Sequence, residues 1–219
     1  MKTVEFYNRL SNMGDMESIE KFLIFNSSLV ISGLKPSATV NIKKQNNHIY
    51  DKWKKYGASF IKNIGLKYVV LRECSKALII LIYNEENLSN YIFNKENLDF
   101  LNEIGYKGKE TLEEYLECLK DRYLKFKCPH ELGVFLGFPL DDVRDFMNCN
   151  EKKCLCCGYW MVFNDYDKAL ATFNKFDEVK NHAINEILSE EEGIEVAYKI
   201  KSKFQLCYQI ESDNYIKVF

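Results

Sequence analysis

A chain of 219 residues with 47% apolar and 28% charged residues has the make-up of a globular protein with room for one sizeable core. Its formal net charge of −2 gives no electrostatic case for nucleic acid, and the longest strongly apolar run, Ala77 to Tyr83, is far short of the ~20 residues that cross a bilayer. No basic-then-apolar leader opens the chain, so the expected compartment is the cytoplasm, with no membrane partner and with eight cysteines as reduced thiols rather than a disulfide framework.

Asp15 is placed to cap a first helix reaching Asn26, with Ile19, Phe22 and Leu23 inward. Leu29 to Ser32, ended by Gly33, reads as a short strand, and Thr39 to Lys43 as a second one after the loop between them. Ile49, Trp53, Tyr56, Phe60, Ile61 and Ile64 recur at helical spacing up to Gly65. Lys67–Glu73 and Ala77–Tyr83 are the clearest strands, joined by a hairpin at Cys74-Ser75-Lys76; the second is apolar on both faces and belongs at the centre of a sheet.

Helices are expected at Glu85–Phe93 and Lys95–Ile104, and Thr111-x-x-Glu114 is a capping box for a helix to Leu124 striped by Leu112, Tyr115, Leu116, Leu119 and Tyr123. Pro129 to Asn148 reads as two short helices around a tight corner at Gly137. Glycine there takes the left-handed conformation freely, and Asp141 and Asp142 fall in the first turn of the second helix. Gly158 to Phe163 alternates as a strand. A long helix follows from Asp165 to Leu188, with Leu170, Phe173, Phe176 and Ile187 buried. Ser189-x-x-Glu192 is a second capping box for a helix to Ser202, and the tail reads as a hairpin of Phe204–Ile210 and Tyr215–Phe219. The expected architecture is therefore a single α+β (or α/β) domain over residues 1–219. It has a small mixed sheet, many surrounding helices and a peripheral C-terminal β-hairpin over residues 203–219.

Pro129-His130-Glu131 followed by Leu136-Gly137-Phe138-Pro139 resembles the paired short motifs of an uncharacterised bacterial family, a domain of unknown function found mainly in anaerobic Gram-positive bacteria. The likeness extends over most of the chain. Leu29 to Thr39 is similar to that family's early Gly-x-Lys segment, Ala77 to Tyr83 to its central apolar run, and Gly158-Tyr159-Trp160 to its Gly-Tyr-Trp motif. The resemblance implies no activity and assigns no residue. It implies a loose genetic context of ferrous iron uptake and flavodoxin, hence a link to iron or redox metabolism.

Several constellations could carry chemistry. His130 and Glu131 at a helix start could share a cavity as an acid–base pair or a metal-linked site; the structural alternative is a stabilised helix start. Neighbours on a helix diverge by about 100°, and no His-Glu-x-x-His is present. Cys149, Cys154, Cys156 and Cys157 could supply thiolates to zinc or an iron–sulfur centre, but their spacing lacks two Cys-x2-4-Cys knuckles, which favours a redox-labile loop or plain small apolar residues over a bound metal. Cys128, just before a helix start, is a candidate reactive thiol. Gly33 to Ser37 offers Lys35 and Ser37 to an anion without being a P-loop, within a stretch from Lys35 to Lys67 that carries eight lysines against one acid, Asp51. Of Tyr159 and Trp160 only one need be core, which leaves the other, Trp160 for preference, to stack on a planar ligand. A DNA-reading corner is disfavoured by Asp141, Asp142 and Asp145.

No cofactor is required by these residues, and a partner would be an unidentified small molecule or protein. The expected roles are a small-molecule- or metal-linked accessory protein, a protein–protein adaptor or homo-oligomer without an active site, or an enzyme using His130 and Glu131.

Overall fold

The computed structural model describes residues 2–45, 48–148, 152–189 and 191–216, with side chains from Phe6 to Gln205 among them. The central strand is β3 (Ala77–Tyr83), flanked by β1 (Ser37–Lys43) and β2 (Lys67–Glu73), both antiparallel to it. The bounds of β2 and β3 and the three-residue hairpin between them agree with the sequence reading. The sheet is antiparallel throughout rather than mixed, because that hairpin reverses the chain and the helical segment from Ile49 to Asn63 returns it past the sheet before β2 begins.

The alternation of β3 divides the interior. Leu78, Ile80 and Ile82 join a core built by α1 (Lys2–Leu10), α2 (Asp15–Ile31), α3 (Ile49–Lys52), α4 (Ala58–Asn63), α10 (Tyr166–Ile187) and α11 (Gly193–Ile216). Leu81 and Tyr83 join a second core built by α5 (Glu85–Ile92), α6 (Lys95–Leu101), α7 (Leu112–Phe126), α8 (Leu132–Phe135) and α9 (Leu140–Met147). Both faces of β3 are thus covered, which is why it carries no polar face. A small hairpin, β4 (Cys156–Cys157) with β5 (Met161–Val162), leads into α10. Thr111 and Glu114 form their reciprocal cap at the start of α7, and Asp165 caps α10 through the Lys168 amide at 3.0 Å.

Five further expectations are corrected. Leu29 to Ile31 end α2 instead of forming a strand. The Ser27, Ser28 and Ser32 hydroxyls turn back onto carbonyls three or four residues earlier, and the helix is buried along most of its length, so packing overrides the β-branched run. Gly158 to Trp160 form the turn of the β4–β5 hairpin, closed by the Gly158 amide on the Trp160 carbonyl at 3.0 Å, and only Met161 and Val162 of the expected strand pair. Leu170 lies on the exposed side of α10. The C-terminal hairpin is instead the continuation of α11. Val196, Ala197, Ile200 and Phe204 recur at helical spacing and bury against α2 and α10, so the period of the apolar stripe wins over strand propensity; 217–219 lie outside the described residues. Ser189 donates its hydroxyl to the Glu186 carbonyl (2.6 Å) at the end of α10, and α11 begins only at Gly193, so the second capping box is not used.

The packing of α11 on α10 includes His182. Its Nδ1 lies 3.6 Å from Glu186 and 3.4 Å from the Lys203 ammonium, its Nε2 is buried without a hydrogen bond, and its ring meets the edge of Phe204. Burial, then the Lys203 charge, push its pKa below the ordinary 6.5, against the opposing pull of Glu186 and Glu178. The unfolded chain therefore binds a proton before the folded chain does, and stability falls as pH drops below 6.5. In urea melts at pH 7 and pH 5, His182→Leu is expected to lose less stability between the two than the parent. Equal losses would contradict the assignment.

Candidate functional site at the corner

The corner begins as a tight turn. The Leu132, Gly133 and Val134 amides bond to the carbonyls three residues earlier, Pro129, His130 and Glu131, at 3.0–3.2 Å. At about three residues per turn, consecutive side chains diverge by more than on an α-helix. His130 and Glu131 accordingly point different ways, and they do not form a pair.

Glu131 is buried at 1% exposure and turns back onto α7. It accepts a hydrogen bond from Arg122 Nε and one from the Tyr106 hydroxyl at 3.3 Å. Arg122 also donates to the Ile104 carbonyl (3.1 Å) and lies over the rings of Tyr106 and Phe126. Burial and the Glu131 charge hold the Tyr106 hydroxyl protonated far above the usual tyrosine range. Glu131 is thus a structural ion-pair residue that fixes the turn to α7.

His130 is exposed and faces the other side, with its ring edge-to-face on Phe146 at 4.9 Å between centroids. There it stands on the rim of a cavity of about 440 Å³. The walls are Leu132, Gly133, Leu136, Phe138, Val143, Phe146, Trp160 and Met161, with Cys128, Pro129, His130 and Asp142 completing the lining. The cavity lies at the seam of the fold: Leu132 and Val143 belong to one core, Trp160 to the other, and Phe138 packs against both. Two glycines permit the close approaches that shape it. A Cβ on Gly133 would come within 2.8 Å of Val143, and one on Gly137, which has φ +75°, within 2.6 Å of the Pro36 ring.

Asp142 fixes the Trp160 wall. Its buried carboxylate accepts hydrogen bonds from Trp160 Nε1 (2.7 Å), the Phe163 amide (2.9 Å), the Asn164 amide (3.0 Å) and Asn164 Nδ2 (2.8 Å). It ties α9 to the β4–β5 hairpin and to the start of α10. The sequence pointed to Asp142 as a first-turn acid and as a charge that would repel phosphates, not as an anchor. Trp160 is 8% exposed and packs on Phe138 and Phe173, so it is both core and pocket wall. Tyr159 donates its hydroxyl to Asp177 (2.8 Å) and is not in the lining.

The remaining candidates lie apart. The Ser37 hydroxyl is buried and donates to the Phe135 carbonyl at 2.7 Å, which pins the start of β1 to α8. Lys35 is buried, with its ammonium 4.8 Å from the centre of the Phe138 ring, behind the pocket wall. Cys149 lies outside the described residues. Cys154 donates its thiol to the Cys156 carbonyl (3.1 Å), Cys157 is exposed, and among the described residues no three His, Cys, Asp or Glu side chains gather as metal ligands would. Cys128 is exposed on the pocket rim and accepts the Tyr123 hydroxyl at 3.8 Å. No helix of the described residues is long and apolar enough to cross a membrane.

Residues 23–197 match a family described as "Protein of unknown function (DUF3793)". No curated protein and no solved structure matches the chain.

Proposed function

The chain belongs to this family of unknown function, and from that premise we propose that it is a binding protein whose ligand is a small, largely apolar aromatic molecule held at the corner between α8 and α9. The observation that carries this reading is the cavity of about 440 Å³, walled by aliphatic and aromatic side chains with the His130 imidazole at its mouth. That volume and that mix of apolar wall and few polar groups are those of small-molecule sites. Phe138 and Trp160 offer ring faces, and His130 offers one donor or acceptor that orients a polar substituent. Binding is favoured over acid–base turnover because Glu131 is engaged by Arg122, and among the described residues no carboxylate pairs with His130. The exposed Phe146 and Met161 at the rim support a second reading, in which a partner protein inserts one apolar side chain into the same pocket.

The test uses N-phenyl-1-naphthylamine, a neutral aromatic dye that brightens in apolar surroundings. The folded protein is expected to bind it saturably at one site. Met161→Trp, which narrows the mouth, is expected to weaken binding about tenfold, equivalent to about 1.4 kcal/mol. His130→Ala should leave the melting temperature unchanged, because the ring is exposed, while weakening ligands that carry a hydroxyl. No saturable binding, or identical binding by Met161→Trp, would overturn the reading.

A further inference from the structure

The geometry points to a second ligand site, for an aromatic molecule that carries an oxyanion (a phosphate or a carboxylate), in the cleft between α1, α2, α3 and β1. The period of each element brings its share of the cleft to one wall. Tyr7 comes from α1, Ser18 and Phe22 stand one turn apart on α2, Asn41 and Lys43 alternate on β1, and Lys52 comes from α3. The cavity they line has a volume of about 720 Å³. It is larger than the corner pocket, shares no lining residue with it, and falls in the size range of small-molecule sites.

The walls supply charge, hydrogen bonds and ring surface. Lys52 reaches across to Asp15 on α2 at 3.2 Å, and its side chain is only 13% exposed. Lys43 is exposed, and among the described residues its ammonium makes no hydrogen bond or ion pair. The lining thus carries two ammonium groups against one carboxylate, and His48 at its edge lies 3.7 Å from Asp51. An anion here gains Lys43 without displacing a partner. The stretch from Lys35 to Lys67, which supplies this wall, is the one with eight lysines against a single acid. Ser18 adds an independent sign. It is 2% exposed, yet its hydroxyl has no hydrogen-bond partner among the described residues. Ser27 and Ser28 of the same helix both turn theirs onto carbonyls. A buried hydroxyl left unpaired costs free energy, so Ser18 marks where a ligand oxygen sits. Tyr7, 46% exposed although Phe6 and Phe25 contact its ring, and the half-buried Phe22 offer the apolar surface for an aromatic ring.

The test is titration of the full chain at pH 7 with 1-naphthyl phosphate and, separately, with 1-naphthoate, followed in proton–nitrogen correlation spectra. The Ser18 and Asn41 amide signals are expected to shift saturably with at least one of the two, and the probe that acts identifies the oxyanion. Inorganic phosphate and acetate, which lack the ring, should bind more than about tenfold more weakly. Lys43→Glu reverses an exposed, unpartnered charge, so it should keep the parent's melting temperature and weaken binding about tenfold. Met161→Trp, which narrows the corner pocket, should bind both probes in this cleft as the parent does. No saturable shift at Ser18 and Asn41 with either probe would overturn the proposal. So would parent-like affinity in Lys43→Glu, or ringless anions that bind as tightly as the aromatic ones.

Discussion

Glu131→Ala is expected to destabilise the protein by about 3–5 kcal/mol, the range for removing one partner of a buried ion pair. The carboxylate has 1% exposure and holds Arg122 and the Tyr106 hydroxyl. Without it, the guanidinium stays packed against Tyr106 and Phe126 with no counter-charge, and the fully buried Tyr106 hydroxyl loses its acceptor. Much of the loss is thus the cost of the stranded partner. Arg122→Met with Glu131→Leu should recover most of it, because replacing both members by apolar groups is often close to neutral. Urea melts of the two variants check this. A Glu131→Ala protein as stable as the parent would return Glu131 to the catalytic candidates. If the loss is found, the dye should still bind the folded fraction of Glu131→Ala, because Glu131 is not in the pocket lining.

Asp142→Ala is expected to cost about 4 kcal/mol, within the range that follows when a buried acceptor is taken from several donors at once. Four N–H groups converge on that carboxylate, from Trp160, Phe163 and twice from Asn164. Deleting it leaves the Trp160 indole, the Phe163 amide and both Asn164 donors without this acceptor. The neighbouring Asp145 does not compensate, because Lys152 and Asn164 already engage it. Unlike Glu131→Ala, this substitution acts on the pocket as well, since Trp160 is one of its walls. Dye affinity should therefore fall together with stability. Asp142→Asn retains the shape but sets an amide N–H₂ among donors, so it should lie between Ala and the parent. Stability unchanged in both would contradict the anchoring role.

Much of this fold follows from local pattern. The uninterrupted apolar run of β3 implied cover on both faces, the Thr111–Glu114 box marked the start of α7, and Gly137 marked the corner. What the pattern missed depends on partners distant in sequence. Nothing near Leu29 shows that α2 will be buried along most of its length, and nothing near Glu131 says which way a tight turn will aim it. A usable clue did exist in α7: Arg122 stands seven residues after Tyr115 and three after Leu119, on the buried stripe, and a charge there requires a buried partner. Asp142 precedes Phe146 by one turn and sits beside Val143, so a first-turn acid on the apolar side of α9 signals an acceptor turned inward.

The central claim, that the corner is a pocket with Trp160 in its wall, is tested most directly by the indole N–H signals in proton–nitrogen correlation spectra. The chain has two tryptophans, Trp53 and Trp160, so two such signals are expected. On titration with 2-naphthol, a neutral aromatic at pH 7, the Trp160 signal should shift saturably, while that of Trp53, buried between the α3–α4 segment and Tyr68, stays in place. A Trp160 signal that does not move while naphthol binds the folded protein would contradict the account.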